Sequence, residues 1–196
     1  MNKPLLVILI CLSPLLFAVY YCLSKNAPDK KPGQIVDQLH NIPVYYNGET
    51  NKIRGRNRSE EGYNFGLKYQ CVEFVKRYYF VHFNHRMPNT YGNAKDFFNK
   101  SVKDGGLNAG RGLIQCRNPS RFKPNVSDLL VYSGHIFNKF GHVAIVSKVS
   151  GNSVEIIQQN PGPGRSSRET YKLAFKNGRW KIGNDRVLGW LRMKPE

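Results

Sequence analysis

Three kinds of side chain in this 196-residue chain could make a nucleophile, its base and a group that orients the base. Cys71 opens the run Cys71-Val-Glu-Phe-Val-Lys-Arg-Tyr-Tyr-Phe-Val-His-Phe83, where Val72, Val75, Tyr79 and Phe83 recur at helical spacing. A cysteine in the first turn of a helix meets unpaired backbone N–H groups and the positive end of the dipole, both of which stabilise a thiolate. His142 begins the run His142-Val-Ala-Ile-Val146 just after Gly141, and that run reads as a strand. An imidazole held by a sheet can accept a thiol proton near neutral pH. On the next strand, alternation puts Val154, Ile156, Gln158 and Asn160 on one face and Glu155 and Gln159 on the other. Gln158 or Asn160 can therefore approach His142 across the hairpin, while Glu155 faces away. The chain order is thiol, imidazole, amide.

The elements that must position these groups are legible in outline. Ile42–Tyr46 is a short β-branched and aromatic run closed by Asn47-Gly48, a strand followed by a turn. Asn51–Asn64 is polar and basic and reads as a surface loop. The segment from Cys71 is the clearest helix, with Glu73, Lys76 and Arg77 on a face away from its apolar stripe. A second helix is expected over Asn93–Lys103, ended by Gly105-Gly106. From residue 126 the pattern changes to short apolar runs, Leu129–Tyr132, His142–Val149, Ser153–Gln159 and Val187–Met193, separated by Gly, Asn or Pro. Gly151-Asn152 marks a hairpin. Helices first and antiparallel strands after predict an α+β domain.

Singly, a cysteine in an apolar helix or a histidine in a strand is more often a core residue than a catalytic one. Four ordered blocks change that balance: Tyr69-Gln-Cys-Val-Glu-Phe-Val-Lys-Arg77, Gly141-His-Val-Ala-Ile-Val146, Gln159-Asn160 and Leu188-Gly-Trp-Leu191. Together with Ser127-Asp-Leu-Leu-Val-Tyr132 they resemble the CHAP domain, the cysteine, histidine-dependent amidohydrolases/peptidases, and are most like its glutathionylspermidine amidase branch. The likeness runs from about Ile42 to Met193. It implies a papain-like (NlpC/P60-type) α+β fold, helices packed on an antiparallel sheet, and amide hydrolysis through a thioester. Carried onto this chain, it makes Cys71 the nucleophile and His142 the base, with Gln70 and the Cys71 backbone N–H as oxyanion donors. Where the amidase branch carries a glutamate as third member, this chain has Gln158. Papain-like enzymes use an amide in that role, and Asn160 is a second candidate for it.

Leu5–Leu23 is an uncharged run of membrane-spanning length, preceded by Lys3 and with Tyr20 and Tyr21 near its far end. Residues 1–24 therefore read as a signal anchor or signal peptide, 25–40 as a tether, and 41–196 as the CHAP domain. Lys3 favours an exported domain held at the membrane by this helix, whereas Lys25, Lys30 and Lys31 favour the opposite orientation. The chain carries 30 Lys+Arg against 13 Asp+Glu, a net charge of +17, which draws it to polyanions. Anionic wall polymer, peptidoglycan, is the substrate expected from charge and resemblance together. The alternatives are a glutathionylspermidine amidase in the cytoplasm and a catalytically weak module that binds wall or membrane. No recognition-helix or aromatic-platform motif supports a nucleic-acid partner. His82, His85 and His135 lack the accompanying runs of a zinc site, so no metal or other cofactor is expected. Cys116 reads as a free thiol, and Pro161-Gly-Pro-Gly164 as a mobile loop that lacks the ending of a phosphate cradle.

Overall fold

The computed structural model describes residues 30–194. The anchor or signal segment expected over 1–24 lies outside them; among the described residues no helix is long and apolar enough to cross a membrane. A hairpin comes first, β1 (Ile35–Leu39) with β2 (Ile42–Tyr45). Part of the segment expected as a tether, 25–40, is thus a strand, because Val36 and Leu39 pack against the core. A second hairpin follows, β3 (Arg56–Arg58) with β4 (Asn64–Leu67), where a surface loop was expected. Then comes α1 (Cys71–Phe83), in the place where the helical spacing put it.

The remaining strands are β5 (Gly106–Asn108), β6 (Leu113–Arg117), β7 (Leu129–Tyr132), β8 (His142–Ser150), β9 (Ser153–Ile157), β10 (Arg168–Lys176), β11 (Arg179–Ile182) and β12 (Val187–Arg192). They form one antiparallel sheet in the order β11-β10-β9-β8-β7-β12-β6-β5. The α+β expectation holds, with one α-helix among the described residues where several were expected. In place of the second helix there is a 3-10 turn, Ala94–Phe97, capped by Asn93 and Asp96. The reason lies just beyond it. The backbone N–H of Asn99 donates to Gln115 Oε1 (2.9 Å) and its carbonyl accepts from Gln115 Nε2 (2.8 Å), so β6 takes the groups that a longer helix needs.

Period-2 alternation sorts the sheet's side chains into two clusters. Leu129, Val131, Val143, Ile145 and Ile157 face α1 and pack on Phe74, Val75, Tyr78 and Tyr79. Leu130, Tyr132, Ala144, Val146 and Ile156 face the other way, with Tyr171, Leu173, Ile182 and Trp190. The polar face of α1 is buried as well. Glu73 and Lys76 are 1% and 0% exposed, because the β3–β4 hairpin and the chain near Thr90 lie over them. Lys76 Nζ donates to the carbonyls of Asn64 and Thr90, and burial lowers its pKa to about 8.

Two glycines are dictated by close approach. At Gly189 in β12 a Cβ would stand 2.0 Å from the Cys116 carbonyl oxygen of the paired strand β6. Gly141, just before His142, has φ 76° and its Cβ would meet the Tyr132 carbonyl at 2.5 Å. Gly189→Ala is expected to destabilise the domain by about 2–4 kcal/mol, because backbone and not a movable side chain must give way. Gly151→Ala, at an open turn, is expected to cost about 1 kcal/mol or less. Urea unfolding of the two variants measures the difference.

Candidate active site

Cys71 is the first residue of α1 and is only partly buried. The backbone N–H groups of Val143, Val72 and Cys71 itself lie on the side of the thiol that favours its charged form. Val143 follows His142, so this contact brings the thiol to the start of β8. The amide contacts favour a thiolate, but desolvation outweighs them and pushes the thiol up to about 11. The expected thiolate stabilisation by the helix end is present and insufficient on its own.

His142 is the first residue of β8, paired in register with Tyr132 of β7, and the two rings lie 5.7 Å apart. Its Nε2 is 2.9 Å from Gln158 Oε1. The geometry sets the tautomer. Gln158 Nε2 donates to the Ser166 carbonyl (3.1 Å), which fixes the amide with its oxygen toward the ring. An oxygen can only accept, so imidazole Nε2 carries the proton and Nδ1 keeps its lone pair. Burial lowers the His142 pKa to about 4; the Gln158 hydrogen bond opposes this, and the charges of Arg186 and Arg165 add to it. At neutral pH both thiol and imidazole are uncharged.

The other expected site residues sit elsewhere in the same corner. Asn160 does not reach His142: β9 ends at Ile157, Asn160 has φ 52°, and alternation no longer applies. Its Nδ2 donates instead to Gln70 Oε1 (2.7 Å) and the Thr50 carbonyl (2.8 Å). Gln70 Nε2 faces the carbonyls of Lys52 (3.2 Å) and Thr50 (3.4 Å), so this side chain is tied to the 50–52 loop and not free to donate to an oxyanion. The first-turn N–H groups of α1 remain as donors there. Gln158, in contrast, stands on the face that alternation assigned to it.

Sequence reasoning missed the role of Gln159. It is fully buried and accepts from the Tyr45 N–H (2.8 Å), while donating to the Gln70 carbonyl (3.0 Å) and Glu73 Oε2 (2.8 Å). Glu73 Oε1 in turn accepts from Arg77 Nε (2.6 Å) and Asn57 Nδ2 (2.8 Å). The signal in the sequence was a pair of amides ending a strand, Gln159-Asn160, and the partners were not readable. His82 stacks on His40 (4.3 Å between centroids) and His85 Nε2 meets the Arg111 carbonyl (2.8 Å), so the two point to different partners. Among the described residues no three His, Cys, Asp or Glu side chains gather as a metal site. Cys116 is a free, buried thiol in β6.

Comparison with known proteins identifies the family. The CHAP domain family model matches residues 62–160, and the chain belongs to the CHAP family. Trypanothione synthetase of Crithidia fasciculata is 30% identical over 168 residues, 83% of this chain and 26% of that protein. The bifunctional glutathionylspermidine synthetase/amidase of Escherichia coli (strain K12) is 29% identical over 137 residues, 64% of this chain and 22% of that protein. The chain thus spans about a quarter of the length of these relatives. Among solved structures, the endolysin LysIME-EF1 aligns with a TM-score of 0.39 at 19% identity, covering 74% of this chain and 60% of the endolysin.

His142 must be neutral to accept a proton, and its neutral form persists as pH falls until it passes about 4. An NMR titration of the His142 ring is expected to show a midpoint well below the ordinary imidazole value of about 6.5. Gln158→Glu sets a carboxylate against Nε2–H and is expected to raise that midpoint by about 1 unit or more. A wild-type midpoint at the ordinary value, unmoved by Gln158→Glu, contradicts the arrangement.

Proposed function

We propose that this protein is a cysteine amidohydrolase in which Cys71 attacks an amide carbonyl, His142 moves the proton and Gln158 holds the imidazole. The observation that carries the reading is the Gln158 amide, locked by Ser166, which leaves Nδ1 of His142 with its lone pair free to act as a base. The Sγ–H proton passes to Nδ1 as the Sγ–carbon bond forms. First-turn amides of α1 stabilise the oxyanion. The imidazolium returns its proton to the leaving nitrogen as the C–N bond breaks, leaving a thioester. Water then attacks the thioester and gives a proton to Nδ1. The Sγ–carbon bond breaks, the sulfur recovers that proton, and the acid departs. Gln158 stabilises the transient imidazolium less than a carboxylate does, so the neutral resting pair is favoured and the charge appears only during reaction.

For the substrate we favour peptide of the anionic cell wall. The net charge of +17 suits such a polymer, and so do Arg165 and Arg186 near His142. The uncharged Leu5–Leu23 segment fits a domain exported and held at the membrane. A second reading, amidase action on a glutathione–polyamine conjugate, is favoured by the names of the relatives at 29–30% identity. Its cationic leaving group fits the two arginines poorly.

Purified peptidoglycan and glutathionylspermidine, each incubated with wild type and Cys71→Ala, separate these readings by mass spectrometry of the products. Wild type is expected to release new amine and carboxyl ends from peptidoglycan, and Cys71→Ala is expected to lose at least about 10³-fold of that rate. Equal hydrolysis by Cys71→Ala sinks the cysteine mechanism. Cleavage of the polyamine conjugate alone moves the protein to the second reading.

A further inference from the structure

Two arginines stand on either side of the His142–Gln158 pair without adequate partners. Arg186 lies in the turn between β11 and β12. Its carbonyl accepts from the Ser133 N–H (2.8 Å), next to Tyr132, whose register partner is His142. The turn is fixed by the Arg186 N–H donating to Asn184 Oδ1 (3.0 Å). Arg165 lies on the other side, in the loop after β9. The next residue, Ser166, accepts the Gln158 amide, and the Ser167 carbonyl accepts the Gln158 N–H (2.8 Å). That loop is pinned. Ser167 Oγ donates to Asp37 Oδ2 (2.7 Å), and Arg168 bridges Asp37 (3.0 Å) and Glu155 (2.8 Å).

Several arginines of the domain are bound within it: Arg77 by Glu73 and the Pro43 carbonyl, Arg111 by three carbonyls, Arg192 by Asp128. Arg186 is partly buried, yet its guanidinium has no hydrogen bond or ion pair among the described residues. Arg165 has only Glu169, at 3.8 Å and between exposed side chains. Such a pair contributes little. Glu169 is also the carboxylate whose charge reaches Tyr132 and Tyr171 in this corner. Both guanidiniums are thus accessible to a bound anion, which either can meet with charge-assisted hydrogen bonds.

We propose that Arg186 and Arg165 bind a free carboxylate of the substrate, so that the amide cut at Cys71 belongs to a peptide carrying an acidic group beside the scissile bond. This rests on the amidohydrolase reading and narrows its substrate class. The guanidinium fork matches a carboxylate in two-point geometry, and its charge repels a cationic group at the same place. The excess of positive charge is then, at this spot, a specificity device.

The test uses the full chain and two synthetic wall-type peptides, one with free carboxylates and one with the same groups as carboxamides. Wild type is expected to favour the carboxylate peptide by about tenfold in kcat/KM, mainly through KM. In Arg186→Gln with Arg165→Gln the ratio is expected to fall to near one, with Arg186→Lys restoring part of it. Equal rates for both peptides in wild type, or a ratio unchanged in the double variant, overturn the proposal. Binding is read separately by adding the carboxylate peptide to Cys71→Ala and following the His142 ring signal. Saturable binding lost in Arg186→Gln supports the site even if neither peptide is cut, which would instead count against the amidohydrolase reading. Binding that Arg186→Gln leaves intact, or no binding at all, overturns the site.

Discussion

The site is made of two halves that share no strand or helix, and the buried amide of Gln159 joins them. One half is the first turn of α1 with Cys71; the other is the start of β8 and the end of β9 with His142 and Gln158. Gln159 leaves β9 next to Gln158 and bonds the Gln70 carbonyl and Glu73 of the helix turn, together with the backbone of β2. Because Glu73 is itself held by Arg77 and Asn57, the carboxylate is fully partnered although it is 1% exposed. A network of this kind is useful only when complete, since a buried carboxylate missing one donor is strongly destabilising. The β1–β2 and β3–β4 hairpins thus serve the site at a distance: the first supplies Tyr45, the second Asn57.

The electrostatics of that junction favour an uncharged thiol and an uncharged imidazole. A helix end and three backbone amides argue for a thiolate at Cys71, and burial overrides them. At His142 the same burial acts on a base, where it favours the neutral ring, and the two arginines push in that direction too. Thiol and imidazole are therefore both favoured in their neutral forms, and in the proposed mechanism they become charged together as the proton moves. An amide in the third position is consistent with this. A carboxylate at Gln158 would favour imidazolium before substrate arrives, whereas the amide fixes the ring and leaves its charge to the reaction.

How far the site was legible follows from where each residue gets its neighbours. Cys71, His142 and Gln158 depend on local periodicity: a helix that starts at the cysteine, a strand that starts at the histidine, and a hairpin whose alternation places Gln158 on the histidine's face. All of that is written in short windows. Asn160 was misjudged because the same alternation was carried past the end of β9, and a residue with φ 52° no longer obeys it. Gln70 was assigned by resemblance, and its amide is engaged by Lys52 and Thr50 in a loop that no local pattern links to it. The polar face of α1 misled in a similar way. Glu73 and Lys76 have the pattern of a solvated face, but an Arg- and Asn-rich segment that reads as loop folds into a hairpin and covers them. Strands β5, β10 and β11 went unread because their apolar positions are few; in β10 only Tyr171 and Leu173 are buried.

The net charge of +17 describes at least three different situations within the domain. Lys76 and Arg111 are inside, their charges spread over backbone carbonyls of Asn64, Thr90, Asn89, Tyr91 and Asp96, and they hold loops to the helix without advertising charge to solvent. Arg77, Arg168 and Arg192 are spent on carboxylates that fix the framework. Arg186 has no partner among the described residues and Arg165 only the exposed Glu169, and the charge of both reaches His142. A surface of general positive charge brings a polyanion near at long range and falls off with salt. It cannot choose a bond. In the proposed site, two guanidiniums whose charge reaches His142 can, because they act on whatever binds there. The charge that sets the encounter and the charge that sets the choice are therefore carried by different residues.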